Sequence, residues 1–215
     1  GVLQVTFEST SLLPVNWTIL DPEGIKLSEG KAEGETGEFS ISVDHPALWN
    51  AEQPNLYTLL LQVGEEYIAQ KVGFREVKTE NGVLLLNGKP ITFRGVNRHD
   101  SDPVKGYAVD AEDLLRDLTI MREHNINAVR TSHYPNSPLM AEMCDRLGFY
   151  LIEEADLECH GVTTQTGDFA AYRSLYPTIA RDPEWAEAIL DRVQRCVIRD
   201  KNRTSVIIWS MGNES

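Results

Sequence analysis

The sequence predicts two parts of different class: an antiparallel β-sandwich, then a parallel sheet covered by helices. Three observations carry this. Residues 1–75 read as short β-rich runs separated by polar turns at roughly 10- to 15-residue intervals. Asn87-Gly88, the strongest short hairpin signal, marks a link. From residue 91 onward, continuous apolar strands alternate with amphipathic helical segments, the pattern of a parallel sheet buried under helices.

The elements follow in order. Val2-Leu3-Gln4-Val5-Thr6-Phe7 and Val15-Asn16-Trp17-Thr18-Ile19-Leu20 are strand-forming, and Asp21-Pro22-Glu23-Gly24 is a turn. Phe39-Ser40-Ile41-Ser42-Val43 alternates with period two, as a half-buried strand does. Leu56–Val63 and Tyr67–Val72 flank Gly64-Glu65-Glu66, a hairpin. Val83–Leu86 and Ile91–Phe93 form the linking hairpin across Asn87-Gly88-Lys89-Pro90. The first strand of the second part is expected over Ile91–Val96. Asp110 can cap a helix whose residues Ala111, Leu114, Leu115, Leu118 and Met121 share a face. Ile126–Arg130 is the next strand. Ser137-Pro138 opens a second helix, which Gly148 ends. Phe149–Ile152 is the third strand. Asp182-Pro183 opens a helix with Trp185, Ile189, Val193, Cys196 and Val197 on one apolar stripe, and Val206–Trp209 is the fourth strand. The stretch Asp156–Arg181 has no helical period and is expected to lie over a pocket.

Net charge narrows the function classes. A formal charge of −13 over 215 residues argues against binding nucleic acid through a basic surface. No run reaches the roughly 20 apolar residues of a membrane helix. No signal peptide is visible, but Gly1-Val2-Leu3-Gln4-Val5 reads as the middle of a strand, so more chain is expected upstream. Cys144, Cys159 and Cys196 are too widely spaced for a zinc motif and odd in number for a disulfide framework. They read as buried or free thiols of a reducing, cytoplasmic setting.

Chemistry gathers at the C-terminal ends of strands in parallel α/β folds. Here the strands exit into Asn97-Arg98-His99-Asp100, then Arg130-Thr131-Ser132-His133-Tyr134, then Glu153-Glu154-Ala155-Asp156 with Glu158 and His160, then Asn213-Glu214. Four polar exits in succession, three with a carboxylate, read as one active site rather than four solvated loops. His45 and His124 have no such surroundings and read as surface residues.

Four of these segments resemble the signatures of family 2 glycoside hydrolases: Phe93-Arg94-Gly95-Val96-Asn97-Arg98-His99, Asn127-Ala128-Val129-Arg130-Thr131-Ser132-His133-Tyr134-Pro135, Val206 through Ser215, and the sandwich-to-barrel passage Gly73-Phe74-Arg75-Glu76-Val77. The resemblance runs in order from about residue 40 to 215. It implies an immunoglobulin-like β-sandwich over residues 1–78, incomplete at its N-terminus, and the N-terminal half of a (β/α)₈ TIM barrel over 79–215. Arg98 after Asn97, Glu158-Cys159-His160-Gly161 and Gly212-Asn213-Glu214-Ser215 are similar to the β-galactosidase branch. The chain departs from that branch at Asp100-Ser101-Asp102, where close relatives often place Glu and further His. β-Glucuronidase and β-mannosidase share the scaffold and stay open as alternatives, as does a non-catalytic carbohydrate-binding fragment.

By this resemblance Glu214 is the general acid/base of a retaining glycosidase acting on terminal β-galactosides. Asn213 contacts the sugar 2-hydroxyl, and His99 and His133 contact other parts of the sugar. Glu158, His160 and Glu214 would hold Mg²⁺, with Zn²⁺ or Mn²⁺ open on chemistry alone. Arg130 is expected to be a structural ion-pair partner. The nucleophile would come from the seventh barrel strand, outside these residues, so the isolated chain is expected to be inactive and the parent protein to be a homo-oligomer.

Overall fold

A computed structural model describes residues 1–163 and 178–215 and divides them into two compact units, Gly1–Ile91 and Thr92–Ser215. The expected pocket-covering stretch lies largely outside the described residues.

The first unit is built from β1 (Val2–Glu8), β2 (Val15–Leu20), β3 (Lys26–Ala32), β4 (Thr36–Ser42), β5 (Tyr57–Val63), β6 (Glu66–Val72), β7 (Val77–Glu80), β8 (Val83–Leu86) and β9 (Lys89–Pro90). β1 pairs antiparallel with β4, and β3-β2-β5-β6 form a second antiparallel sheet. The core holds Ile19, Ile41, Val43, Tyr57, Leu59 and Phe74, contributed by both sheets and the segments beside them. Trp17 stacks on Phe39 at 5.5 Å, and Tyr57 meets Phe74 edge-on at 4.9 Å. This is the sandwich that period-two alternation predicts. The Asp21 turn forms as expected: its carbonyl accepts from Gly24 N (3.0 Å) and its side chain from Glu23 N and Ile25 N.

Three details differ from the sequence reading. Lys26–Ala32 forms a strand that the composition conceals. Lys-Leu-Ser-Glu-Gly-Lys-Ala lacks the β-branched and aromatic residues that advertise strands, and β3 forms as an edge strand laddered onto β2 alone. The linking hairpin is tighter than expected. Asn87 (φ 52°) and Gly88 (φ 75°) both take positive φ, so Leu86 pairs directly with Lys89 across a two-residue turn. The strand expected over Ile91–Val96 begins only at Gly95.

The second unit alternates β10 (Gly95–Arg98), α1 (Ala111–Glu123), β11 (Ala128–Thr131), α2 (Pro138–Leu147), β12 (Tyr150–Glu154), α3 (Ala186–Asp200) and β13 (Val206–Ser210). The strands are parallel and ordered as in the chain, as in the first four βα units of a barrel. Asp110 caps α1 in a reciprocal box with Asp113. Pro138 opens α2 and Gly148 closes it at φ 75°. Leu114 and Leu118 of α1, Met140, Ala141 and Cys144 of α2, and Val129, Phe149, Leu151 and Val206 at the sheet form one core. The stripe of α3 turns Cys196 inward with Ile189, Val193 and Val197 half-buried. Trp185 remains exposed in the 3₁₀ turn just before the helix. Cys144, Cys159 and Cys196 are buried free thiols. Among the described residues no helix is long and apolar enough to cross a membrane.

Candidate active site

Parallel pairing aligns the strand ends. Arg98 pairs with Thr131, Arg130 with Ile152, and Glu154 with Ser210, so the polar exits emerge side by side. The β10 exit is fixed from beneath. Arg98, buried, donates to Asp100 Oδ1 at 2.5 Å, Asn136 Oδ1 at 3.0 Å and Asp117 Oδ2 at 3.1 Å. Asp100 Oδ2 accepts from Ser137 N, and its own N–H donates to the Tyr134 hydroxyl. The loop is thus tied to the start of α2. His99 is carried between those anchors, and its ring meets those of His133 at 5.4 Å and Tyr134 at 5.9 Å.

A second network centres on Glu154, which is fully buried. Oε1 takes the Nδ1 of His133 at 2.8 Å, while Oε2 takes Arg130 Nε at 2.7 Å and Ser210 Oγ at 2.7 Å. Arg130 Nη2 lies 2.6 Å from the same Oε2 and donates to Asn213 Oδ1 at 3.0 Å. Asn213 Nδ2 donates to Glu158 Oε2 at 2.7 Å. Two charged neighbours therefore orient the Asn213 amide, with its oxygen toward the guanidinium and its nitrogen toward the carboxylate.

The β13 exit runs beside the β12 exit. Asn213 N donates to Leu157 O at 2.9 Å, and Glu158 bridges to Asn213. The approach depends on Gly212, at φ 149°. A Cβ there would lie 2.6 Å from the Leu157 carbonyl and 2.8 Å from its Cβ. Glu214 follows at φ 42°, an uncommon conformation for a residue with a side chain, and its carboxylate pairs with His160 Nδ1.

Glu158, His160 and Glu214 each offer a ligand atom, all within 4.8 Å of one another. Ligands at ~2.1 Å from an octahedral Mg²⁺ stand about 3.0 Å apart when cis and about 4.2 Å when trans. The three donor atoms lie near that span, with the His160–Glu214 pair closer than bound ligands stand, so these two would part to admit an ion; two carboxylates with one imidazole suit a divalent cation, and the imidazole also suits Mn²⁺ or Zn²⁺.

All six residues singled out in the sequence thus lie at one end of one sheet: His99, His133, Asn213 and Glu214 with Glu158 and His160. His45 and His124 are exposed, as the sequence reading expects. Arg130 is an ion-pair partner, as its strand position implies. The residue that sequence reasoning passed over is Glu154. The signal for it was Glu153-Glu154 closing a buried strand, since alternation must send the two side chains to opposite sides. Glu153 meets Arg199 and Glu154 meets Arg130.

Comparisons with known proteins bear on the family and fold of both units. Residues 77–215 match the model of glycosyl hydrolases family 2, TIM barrel domain, and residues 4–75 match that of glycosyl hydrolases family 2. The barrel match thus takes in the β7–β9 hairpin, which packs within the first unit. The chain is 46% identical to a beta-galactosidase of Actinobacillus pleuropneumoniae over 94% of its own length, spanning 22% of that protein. Solved structures of beta-glucuronidases share the fold. That from Faecalibacterium prausnitzii gives TM-score 0.80 at 30% identity, covering 99% of this chain and 34% of that one. That from Bifidobacterium dentium, complexed with coumarin-3-O-glucuronide, gives 0.82 at 26%, again covering 99% and 34%. The chain belongs to family 2 of the glycosyl hydrolases, and its second unit is the start of that family's TIM barrel.

Proposed function

We propose that these residues form the acid/base side of a retaining β-galactosidase site, cleaving terminal β-galactose from β-galactosides. The observation that carries the reading is Glu214 at the exit of β13, with Asn213 beside it and Glu158 and His160 against it.

Retaining hydrolysis uses two carboxyl groups about 5–5.5 Å apart. Glu214 is assigned as the group that gives its proton to the glycosidic oxygen as that bond breaks. The second carboxylate, assigned outside these residues, attacks the anomeric carbon. Glu214 then takes a proton from water as the water displaces the covalent sugar, which restores both groups. Asn213 is assigned to the sugar 2-hydroxyl, a contact that strengthens in the transition state. His99 and His133 are assigned to other sugar hydroxyls. A Mg²⁺ held by Glu158, His160 and Glu214 would supply a fixed positive charge beside the acid/base.

The glucuronidases among the structural neighbours favour a second reading, and Arg130 weighs against it. A uronate needs a cation, and Arg130 is already matched by Glu154 and committed to Asn97 and Asn213. The identity to a beta-galactosidase supports the first reading further. A panel of nitrophenyl glycosides on the full-length protein separates the two.

The mechanistic test is Glu214→Gln in the full-length protein. Hydrolysis of lactose should fall by about three orders of magnitude or more. Dinitrophenyl galactoside, whose leaving group needs little protonation, should still form the glycosyl-enzyme, and azide should restore turnover as β-galactosyl azide. An equal loss on both substrates with no azide product overturns the assignment.

A further inference from the structure

We propose that Glu154 is the positioning residue of this site: one carboxylate oxygen sets the proton and ring orientation of His133, and the other sets Asn213 through Arg130. The proposal rests on the glycosidase reading above for what His133 and Asn213 touch. It assigns to Glu154 no contact with the sugar.

The geometry allows little else. Glu154 is wholly inaccessible, so an ionised carboxylate there is tolerable only if its oxygens are filled by donors. They are filled from both sides. A carboxylate can only accept, so the bond to Oε1 puts the His133 ring proton on Nδ1. The ring is then pinned and Nε2 is left for another partner, the arrangement by which a buried carboxylate usually orients an imidazole. On the other oxygen, Arg130 is gripped by Nε and Nη2 together, which fixes the plane of the guanidinium. That plane aims Nη2 at Asn213 Oδ1, and Glu158 holds the amide nitrogen. Ser210 Oγ also donates to Oε2, and Glu154 N donates to Thr131 Oγ1, so the neighbouring strands hold the hub in place. One residue thereby couples the exits of β11 and β13, which come from parts of the chain 83 residues apart.

The test uses Glu154→Gln in the full-length enzyme. Glutamine keeps the shape, but its neutral amide no longer ion-pairs with Arg130, which loosens the guanidinium that holds Asn213, and its nitrogen cannot accept the Nδ1 proton of His133. On nitrophenyl galactoside kcat should fall about tenfold to a hundredfold with KM changed less. On the 2-deoxygalactoside the loss should be several times smaller, since the Asn213 contact is already missing there. Glu154→Asp, which restores the acceptor, should recover part of the rate. An equal loss on both sugars, or no loss on either, overturns the proposal. If Glu154→Gln does not fold, Arg130→Met and Asn213→Ala replace it. The double variant should be no slower than Asn213→Ala alone, and additive losses overturn the proposal. A wild-type enzyme that cleaves a different glycoside corrects the function and leaves this test intact, run on that glycoside and its 2-deoxy counterpart.

Discussion

Glu153 and Glu154 are neighbours in the chain, both buried, and used in opposite ways. Glu154 faces an arginine that grips it with two nitrogens, a histidine and a serine. Glu153 meets Arg199 at 3.2 Å, and Arg199 shares its charge with Asp200. Burial, and then the Asp200 charge, push the Glu153 carboxyl up to about 8 from an ordinary 4.5. The folded chain therefore holds a proton on Glu153 between about pH 4.5 and 8 that the unfolded chain has lost. Stability must fall as pH rises through that window. Glu153→Gln removes the liability without changing the shape. In thermal melts of the full-length protein the variant should match the wild type near pH 5 and exceed it near pH 8.5. The gain should be a few kcal/mol, because a tenfold change in acid strength between folded and unfolded chain is worth about 1.4 kcal/mol. A gain of the same size at both pH values would mean the residue acts through packing and not through its charge.

At the scale of elements, two strand exits are brought into register by a glycine. Gly212 lets the segment after β13 lie against Leu157, and that contact brings Glu158 beside Asn213 and His160 beside Glu214. Gly212→Ala would force a Cβ into the Leu157 carbonyl, and the backbone there would have to give. The expected result is a site with its chemistry present and its spacing lost. More Mg²⁺, by about tenfold, should be needed for half-maximal rate in the full-length enzyme treated with a chelator and then reloaded. Glu158→Gln should act in the same direction. An enzyme indifferent to chelation, in which neither substitution shifts the Mg²⁺ requirement, removes the metal from this site.

At the scale of the whole chain, the parallel sheet has two edges among the described residues. β10 and β13 each pair on one side only, and the β13 region exposes Ile208, Trp209 and Met211. A barrel of eight strands has no edges, and it buries such residues against the next strand. A polypeptide of only these 215 residues should therefore self-associate in light scattering or bind a hydrophobic dye, and should show no glycosidase turnover. A monomer with a sharp, high melting transition would contradict this.

What the sequence determined by itself is what depends on neighbours in the chain. Asp110 with Asp113 started α1, Gly148 ended α2, and Asn87-Gly88 turned the hairpin, because caps and turns are closed by residues two to four positions apart. Strand exits rich in His, Asn and Glu were legible for a related reason: in a parallel sheet all exits of this kind face the same end. β3 was hidden because its propensity is weak and its pairing with β2 supplies what composition lacks. Glu154 was visible as a residue but not as a hub. Its partners Arg130, His133 and Ser210 stand 24, 21 and 56 positions away. Only the packing of β11, β12 and β13 decides which of two adjacent glutamates meets them. A buried charge takes its meaning from the groups that surround it in space, and those are assembled by the fold.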